Sequence, residues 1–229
     1  MRYDRIREGK FIARPNRFIA HIEIDGVVEI CHVKNTGRCK ELLVPGAKVY
    51  VEESSNPERK TRFDLICVYK GDKLINMDSQ APNKVFYEWA TKSSFFGEIT
   101  LVKPECKYKN SRFDFYIETA QRKIFVEVKG VTLELNGVVS FPDAPTERGV
   151  KHLNELQEAM KDGYEAYVFF IVQMSGVKYF VPNGENHPEF KNALADSSKK
   201  GVNIKALECE VTKNSLTASD FIDVRGIED

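Results

Sequence analysis

Residues 111–129 constrain the fold most, because they form two alternating apolar and polar runs joined by a short polar turn. This pattern predicts a β-hairpin. Alternation has a period of two, so Phe125, Glu127 and Lys129 are expected on one face of the second strand. Antiparallel pairing then brings Asp114 of the first strand alongside Glu127. Two carboxylates and an ammonium should therefore converge at one place on a sheet.

These residue types are the ones that metal-assisted phosphodiester hydrolysis needs. Mg²⁺ or Mn²⁺ is a hard cation that one or two carboxylates, here Asp114 and Glu127, can hold while it keeps several waters. The Lys129 ammonium can orient the attacking water or neutralise charge that develops on the phosphate. The alternative is a surface hairpin with ordinary ion pairs of little energetic value. The short pattern alone favours that alternative, so its context decides.

The context is a resemblance to known proteins. Asp114 followed by Glu127-x-Lys129 resembles the signature of the PD-(D/E)XK nucleases, and longer segments resemble the SfsA family, the sugar fermentation stimulation proteins. The matching segments are 35–39 (N-T-G-R-C), 81–83 (A-P-N), 105–115, 127–133 and 141–156. The resemblance covers nearly the whole chain. It implies an N-terminal OB-like domain, a C-terminal nuclease-like domain, DNA binding and a link to sugar (maltose) metabolism.

The first part of the chain, residues 1–80, contains short alternating runs that predict β-strands, with Asp-Gly and Gly-Asp pairs as hairpin turns. The runs are 18–24, 27–32, 48–53, 63–69 and 73–77. Five short strands without a helix predict a small barrel, and the resemblance favours an OB-like one. The polar segment 78–82 breaks the alternation, so a second domain is expected over 81–229.

In the second domain, helical and strand patterns alternate. Asn83 is expected to cap a helix that runs to about Ser94, and a second helix follows Pro145 and ends at Gly163. The apolar run 164–173 predicts a central strand covered on both faces. The remaining segments are predicted as a sheet strand (177–181), a helix (187–200), a last strand (202–211) and a polar tail. The fold class is therefore α+β or mixed, an OB-like barrel followed by an α/β PD-(D/E)XK nuclease-like domain.

Two helices add candidates to the hairpin site. Glu88 lies at the margin of the apolar face of the first helix. It is a possible extra catalytic carboxylate, with an ion pair to Lys92 as the alternative. In the second helix, Arg148 and Lys151 are candidates to hold the scissile phosphate.

The apolar stripe predicted for this second helix comprises Val150, Leu153, Gln157 and Met160. His152 falls on the opposite side together with Glu155. A base or phosphate ligand is one reading of His152, but we expect both side chains to face solvent.

Basic side chains gather in the loops of the barrel, where they are candidate phosphate contacts. The nucleic-acid-binding candidates are Arg14, Arg17, Lys34, Arg38, Arg59, Lys60, Arg62, Arg112, Arg148 and Lys151. For any single barrel residue, a solvated face is the simpler explanation. The loop 33–38 could cradle a phosphate or simply form a well-made turn, and the sequence leaves both open.

The charge balance excludes a globally basic protein, because Lys plus Arg and Asp plus Glu both number 34. Any surface for DNA, or for RNA as the alternative, must therefore be local. The first residues lack a signal peptide and no run is long enough to span a bilayer, so we expect a cytoplasmic protein with no membrane partner. Five scattered cysteines do not suggest disulfides or a zinc site. A homodimer is one hypothesis for the oligomeric state.

Three functions follow from these observations. The first is an Mg²⁺-dependent DNA nuclease with Asp114 and Glu127 as metal ligands, Lys129 as activator and Glu88 as an assistant. The second is a non-catalytic DNA-binding regulator linked to sugar metabolism. The third, a protein-interaction module, has only the neutral overall charge in its favour.

Overall fold

The computed structural model describes residues 1–35 and 37–227. The first unit contains the strands β1 (Ile6–Asn16), β2 (Ile19–Ile24), β3 (Val27–Val33), β4 (Lys48–Glu53), β5 (Phe63–Lys70) and β6 (Lys73–Asn76). Their order in the sheet is β3-β2-β1-β4-β5-β6, and a parallel pairing of β3 with β5 closes the first five strands into a barrel. The predicted OB-like domain is thereby confirmed.

The predicted strand list of the barrel was wrong in two respects, because β1 was missed and β6 lies outside the closed barrel. β1 pairs with both β2 and β4, so the barrel depends on it. Its register with β2 shifts between Phe11 and Ala13 and again between Ala13 and Asn16. These irregularities, together with Pro15, break the alternation by which a strand is recognised in a sequence.

The second unit is built on a six-stranded sheet with the strand order β15-β14-β12-β9-β8-β7. Its strands are β7 (Ile99–Tyr108), β8 (Ser111–Thr119), β9 (Lys123–Val131), β12 (Glu165–Val172), β14 (Asn203–Thr212) and β15 (Ser215–Ile222), and its helices are α1 (Ala81–Lys92), α2 (Glu147–Lys161) and α3 (Pro188–Lys199). A smaller sheet joins β10 (Leu133–Leu135), β11 (Val138–Phe141) and β13 (Tyr179–Pro182) in the order β10-β11-β13.

The central strand β12 is covered on both faces, as its continuous apolar run predicted. Val168 and Phe170 belong to the core cluster that includes α2 and α3, whereas Tyr167 and Phe169 belong to the cluster that includes α1. β12 runs parallel to β9 on one side and to β14 on the other. The sheet therefore lies between α1 on one face and α2 with α3 on the other.

Three local predictions for this unit were wrong. Residues 177–181 do not extend the main sheet, because β13 pairs with β11 in the smaller one. The expected polar tail contains β15, which pairs antiparallel with β14. Asn83 is not a helix cap, since α1 begins at Ala81 with Pro82 in its first turn. β13 is ordered by a strand about 40 residues earlier in the chain, whereas β15 forms a hairpin with the strand that directly precedes it.

The two units pack directly against each other. The side-chain amide of Gln173 donates to the carbonyl oxygens of Asn76 (3.2 Å) and Asp78 (3.0 Å) in the segment that joins them. Lys70 of the barrel forms an ion pair with Glu134 at 2.7 Å. Residue 80 lies between β6 and α1. The domain limits 1–80 and 81–229 stay a prediction. Within the described residues, no helix is long and apolar enough to cross a membrane.

Candidate active site

The hairpin β8–β9 positions the two acids at the point where its ladder ends. The ladder pairs Phe115 with Val126, and one further step of this register places Asp114 opposite Glu127. At that step a side chain takes the place of a backbone acceptor: the Val128 amide donates to Asp114 Oδ2 at 2.8 Å. The strands separate here, which leaves room for side chains between them.

Strict alternation along β8 predicts Phe113 and Phe115 on one face of the sheet, and the structure departs from this prediction where the ladder ends. Phe113 packs against Phe125, with ring centroids 5.0 Å apart, whereas Phe115 packs against Phe86 of α1 at 5.0 Å. The residues before and after Asp114 thus lie on different faces of the sheet. A strict period of two would have kept them together.

Glu127 lies at the centre of the site and is almost completely buried. Its Oε1 accepts from Lys129 Nζ at 2.5 Å and from His152 Nδ1 at 2.5 Å. Its Oε2 is also buried but has no hydrogen-bond partner among the described residues. A buried carboxylate oxygen without a partner is costly, so this atom marks an open ligand position.

His152 is part of the site, and the prediction that it faces solvent was wrong. It is only 5% exposed. Arg148 Nε lies 3.4 Å from His152 Nε2, and a guanidinium can only donate. The network therefore assigns the imidazole proton to Nδ1, from which it is donated to Glu127.

The helical stripe predicted for α2 was rotated relative to the buried face. Leu156, which the stripe omitted, is fully buried beside Leu153, whereas Val150 is only partly buried. This rotation turns His152 toward the sheet. Glu155 was also expected in solvent, but its side chain is 18% exposed and its Oε2 is buried without a partner among the described residues.

Asp114 is held by two donors, one from each side. Besides the Val128 amide, Asn83 Nδ2 donates to Asp114 Oδ1 at 2.9 Å. Sequence reasoning assigned Asn83 only as a cap. Asn83 lies in the first turn of α1, which packs on the sheet, and this placement is visible only in the fold. Gly130 permits this close approach, because a Cβ atom there would lie 2.7 Å from Pro82 Cγ of α1.

The two carboxylates differ in their electrostatic environment. Burial and the negative charge of Glu127 raise the pKa of Asp114 above its ordinary value. Burial also raises the pKa of Glu127, but the hydrogen bond from His152 and the charge of Lys129 outweigh it, so the net pKa is lowered. The site thus holds one firmly ionised carboxylate and a second one whose charge is disfavoured beside it. A cation placed between them would relieve this repulsion.

The structure does not bring Glu88 to this site. Its Oε2 accepts from the Met1 amino group at 2.8 Å, beside Leu216. The ion pair with Lys92 that was the alternative is replaced by this contact. Asn83, from the first turn of the same helix, is the α1 residue that contacts an acid of the site.

Several predicted nucleic-acid-binding cations are occupied within the fold. Lys34 lies 3.2 Å from Asp64, and Arg59 binds the same carboxylate at 2.7 Å. The Arg14 guanidinium donates to four backbone carbonyls of neighbouring turns and has no free face for a phosphate. Thr36, within the loop predicted to cradle a phosphate, lies outside the described residues.

The other cations differ in their exposure and partners. Arg62 pairs with Glu53 at 2.7 Å and Arg112 with Glu105 at 3.0 Å, both at the surface. Lys151 Nζ lies 3.4 Å from the carbonyl of Asn110 and 3.8 Å from Glu155. Arg17, Arg38, Lys40 and Lys60 are exposed and have no carboxylate partner in the described part of the chain.

Among the described residues, no group of three or more His, Cys, Asp or Glu side chains is arranged to hold a metal ion. Asp114 and Glu127 are a pair, so a cation bound there would take its other ligands from water, backbone or substrate. That requirement suits Mg²⁺ and similar hard cations and does not suit a structural zinc site.

Two family models match the chain. The model for the sugar fermentation stimulation protein RE domain matches residues 80–215, and the model for the SfsA N-terminal OB domain matches residues 12–77. The two matches meet between β6 and α1.

Relatives match over nearly the full length. A sugar fermentation stimulation protein homolog of Clostridium beijerinckii is 60% identical over 224 residues, 98% of this chain and 99% of the relative. A homolog of Ruminiclostridium cellulolyticum is 60% identical over 225 residues, 98% of this chain and 100% of the relative. Among solved structures, SfsA of Pyrococcus furiosus in complex with Ca²⁺ matches with a TM-score of 0.89 and 28% identity, covering 98% of each chain.

Proposed function

The chain belongs to the SfsA family of sugar fermentation stimulation proteins, and we propose that its second unit carries a cation-dependent hydrolytic site for nucleic-acid phosphodiesters. The observation that carries this proposal is the convergence of Asp114, Glu127 and Lys129 at a site where one buried Glu127 oxygen has no hydrogen-bond partner among the described residues. Such a set serves hydrolysis of a substrate that is itself an anion.

A divalent cation fits the residues present. Asp114 and Glu127 would hold it, since Glu127 Oε2 is unpartnered among the described residues and the pKa of Asp114 is raised by burial and by the charge of Glu127. The Ca²⁺ complex of the Pyrococcus furiosus relative supports a cation in this family. When bound, Mg²⁺ or Mn²⁺ would neutralise phosphate charge and acidify a water molecule.

The chain's own groups supply the remaining functions. Lys129 Nζ, 2.5 Å from Glu127 Oε1, has further protons to donate to a water or to a phosphate oxygen. His152 and Arg148 fix the orientation of the Glu127 carboxylate, because His152 donates to the same oxygen. Asn83 does the same for Asp114. The site is therefore preorganised by neighbours that need not touch the substrate.

A second candidate function is nucleic-acid binding without hydrolysis, as in a regulator of sugar metabolism. One observation favours it: both oxygens of Asp114 accept hydrogen bonds within the chain, so this acid has a structural role as well. The name of the family links it to sugar fermentation, which fits regulation as well as nuclease activity. Both functions belong in the cytoplasm, and five free cysteines agree with a reducing compartment.

The test is a cleavage assay paired with a binding assay. Single strands, duplexes and plasmid DNA, and RNA of matched sequence, are incubated with Mg²⁺, Mn²⁺ or EDTA, and the products are resolved on gels. We expect cleavage with Mg²⁺ or Mn²⁺ only, and its loss in Asp114→Asn, Glu127→Gln and Lys129→Ala. Isothermal titration with Ca²⁺ should show binding that Glu127→Gln removes.

Matched controls decide between the two functions. Glu88→Gln changes a carboxylate of the same unit outside the site and should cleave like the wild type. Cleavage that persists in Asp114→Asn would indicate a contaminant. Binding of DNA without cleavage under any condition would leave the non-catalytic regulator.

A further inference from the structure

A groove on the barrel is lined by cations that pair with no carboxylate among the described residues. It has a volume of about 520 Å³ and is lined by Arg17, Arg38 and Lys40 among others, with no acidic side chain among the described lining residues. None of these three cations pairs with a carboxylate in the described part of the chain, unlike Lys34 or Arg59. The surface around this groove is therefore the part of the barrel most suited to phosphate groups.

Arg14 builds this groove rather than binding through it. Its guanidinium donates to the carbonyl of Arg17 at 2.8 Å, in the turn after β1. It also donates to the carbonyls of Asn35 (2.7 Å), Gly37 (2.9 Å) and Arg38 (2.9 Å), in the loop after β3. One half-buried side chain thus ties together the two segments that carry the exposed cations.

A second cavity, between the two units, adjoins the groove at Gly37. Gly37 lines both, and the second cavity, of about 160 Å³, is also lined by Gly130, which directly follows Lys129. A Cβ atom at Gly37 would collide with the carboxylate of Asp143, so glycine allows the barrel loop to approach the second unit. The second cavity thus lies between the barrel groove and Gly130, the residue that follows Lys129 of the candidate active site.

The two cavities differ in chemistry. The interdomain cavity is lined by uncharged groups such as Ser140, Thr132 and the ring of Phe141, with Asp143 as its acid. A carboxylate repels phosphate but accepts from the amino groups of bases. Phe141 offers an aromatic surface for stacking. The groove is thus suited to the phosphate backbone and the interdomain cavity to a base.

We propose that an unpaired nucleic-acid strand lies along the barrel groove and inserts one base into the interdomain cavity. At about 160 Å³, the cavity is smaller than the pockets of roughly 300–1,000 Å³ that hold drug-sized ligands, so it suits one flipped-out base rather than a base pair. This inference rests on the proposed function, because a strand bound in this way would serve the hydrolytic site at Asp114 and Glu127. It assigns single strands as the preferred substrate class.

The binding test uses fluorescence anisotropy in EDTA, so that it does not depend on hydrolysis. The probes are fluorescein-labelled single-stranded DNA and RNA of about 15 nucleotides and a blunt DNA duplex of the same sequence. We expect the single strands to bind at least about tenfold tighter than the duplex, with an affinity that falls steeply with salt. The two single-stranded probes distinguish DNA from RNA as the ligand.

Two pairs of variants locate the path. Arg38→Ala with Lys40→Ala should lower single-strand affinity by about tenfold and reduce its salt dependence, whereas Lys123→Ala with Lys213→Ala removes two exposed cations elsewhere and should change little. In the cavity, Ser140→Gln should block the base and lower affinity by about tenfold, whereas Ser94→Gln, the same change at an exposed serine elsewhere in the second unit, should bind normally. Thermal melts check that each variant is folded.

Equal or tighter binding of the duplex would overturn the inference, as would wild-type affinity in folded Ser140→Gln. These outcomes are separable from the proposed function. Single strands that bind as expected but are never cleaved contradict only the hydrolytic proposal. A protein that cleaves and prefers duplexes contradicts only the path.

Discussion

Removing the His152 imidazole tests whether this residue holds the central carboxylate. Both side chains are buried, with 6% exposure for His152 and 4% for Glu127, and the hydrogen bond between them is 2.5 Å long. A hydrogen bond to a charged group contributes about 1.5–3 kcal/mol, against about 0.5–1.5 kcal/mol for a neutral one. Since Lys129 still pairs with Glu127, we expect His152→Ala to lower the free energy of unfolding by about 3 kcal/mol, part of it from the lost packing.

A double-mutant cycle isolates the charged contact from this packing. In the Glu127→Gln background the acceptor is neutral, so His152→Ala should cost less by about 1.5 kcal/mol. Urea unfolding in EDTA measures each free energy. Trp89 is the only tryptophan of the chain, and its ring packs 5.3 Å from that of Phe169 in the second unit, so its fluorescence reports on the unit that contains the site.

One result of the double-mutant cycle would contradict the proposed role of His152. If His152→Ala costs the same in both backgrounds, within about 0.3 kcal/mol, the imidazole only fills space and does not orient Glu127. Arg148→Ala is a milder companion variant, because it removes the weaker 3.4 Å contact to His152 from an exposed side chain. It should cost less than about 1 kcal/mol.

Three further predictions concern the site and its approach. In EDTA, the wild type should gain stability as the pH falls through the pKa of Asp114, because burial and Glu127 raise that pKa and the folded state therefore disfavours the ionised form. Asp114→Asn lacks this titration and loses one of the two hydrogen bonds that Asp114 accepts, so the difference between the two urea midpoints should shift in favour of the wild type as the pH falls. Gly130→Ala should destabilise by about 1–3 kcal/mol in the same melts, because its Cβ would lie 2.7 Å from Pro82 Cγ. Arg14→Lys should weaken single-strand binding about threefold in the anisotropy assay, because an ammonium cannot reach all the carbonyls that the guanidinium joins.

Each of these has a clear contrary outcome. An Asp114→Asn difference that is independent of pH would mean that Asp114 titrates as in the unfolded chain. A free energy of unfolding of Gly130→Ala equal to that of the wild type would mean that α1 can move away from the sheet at little cost. Wild-type affinity of Arg14→Lys for single strands would mean that the two barrel loops do not form the path of the strand.

The sequence was sufficient for the elements whose pattern is local. The hairpin β8–β9, the barrel and the doubly covered strand β12 follow from alternation or from continuous apolar runs, which report burial directly. β1 escaped because its register shifts at Ala13 and near Asn16 break the alternation. β15 escaped because a polar edge strand has little apolar pattern to detect.

The tertiary structure alone decided which side chains form hydrogen bonds with each other in the site. Glu127 and His152 are 25 residues apart, and Asp114 and Asn83 are 31 apart, so no periodicity links them. A helical stripe gives the buried face of α2 only to within a residue or so, and that margin decides whether His152 meets water or Glu127.

The same holds for the charges. The sequence determined that cations cluster in the barrel loops, because residue types and loop positions can be counted. Only the fold decided that Arg14 and Lys34 are occupied inside the protein while Arg38 and Lys40 remain available. The physical reason is that secondary structure follows from neighbours along the chain, whereas the free or paired state of a charge depends on atoms that folding brings close from elsewhere.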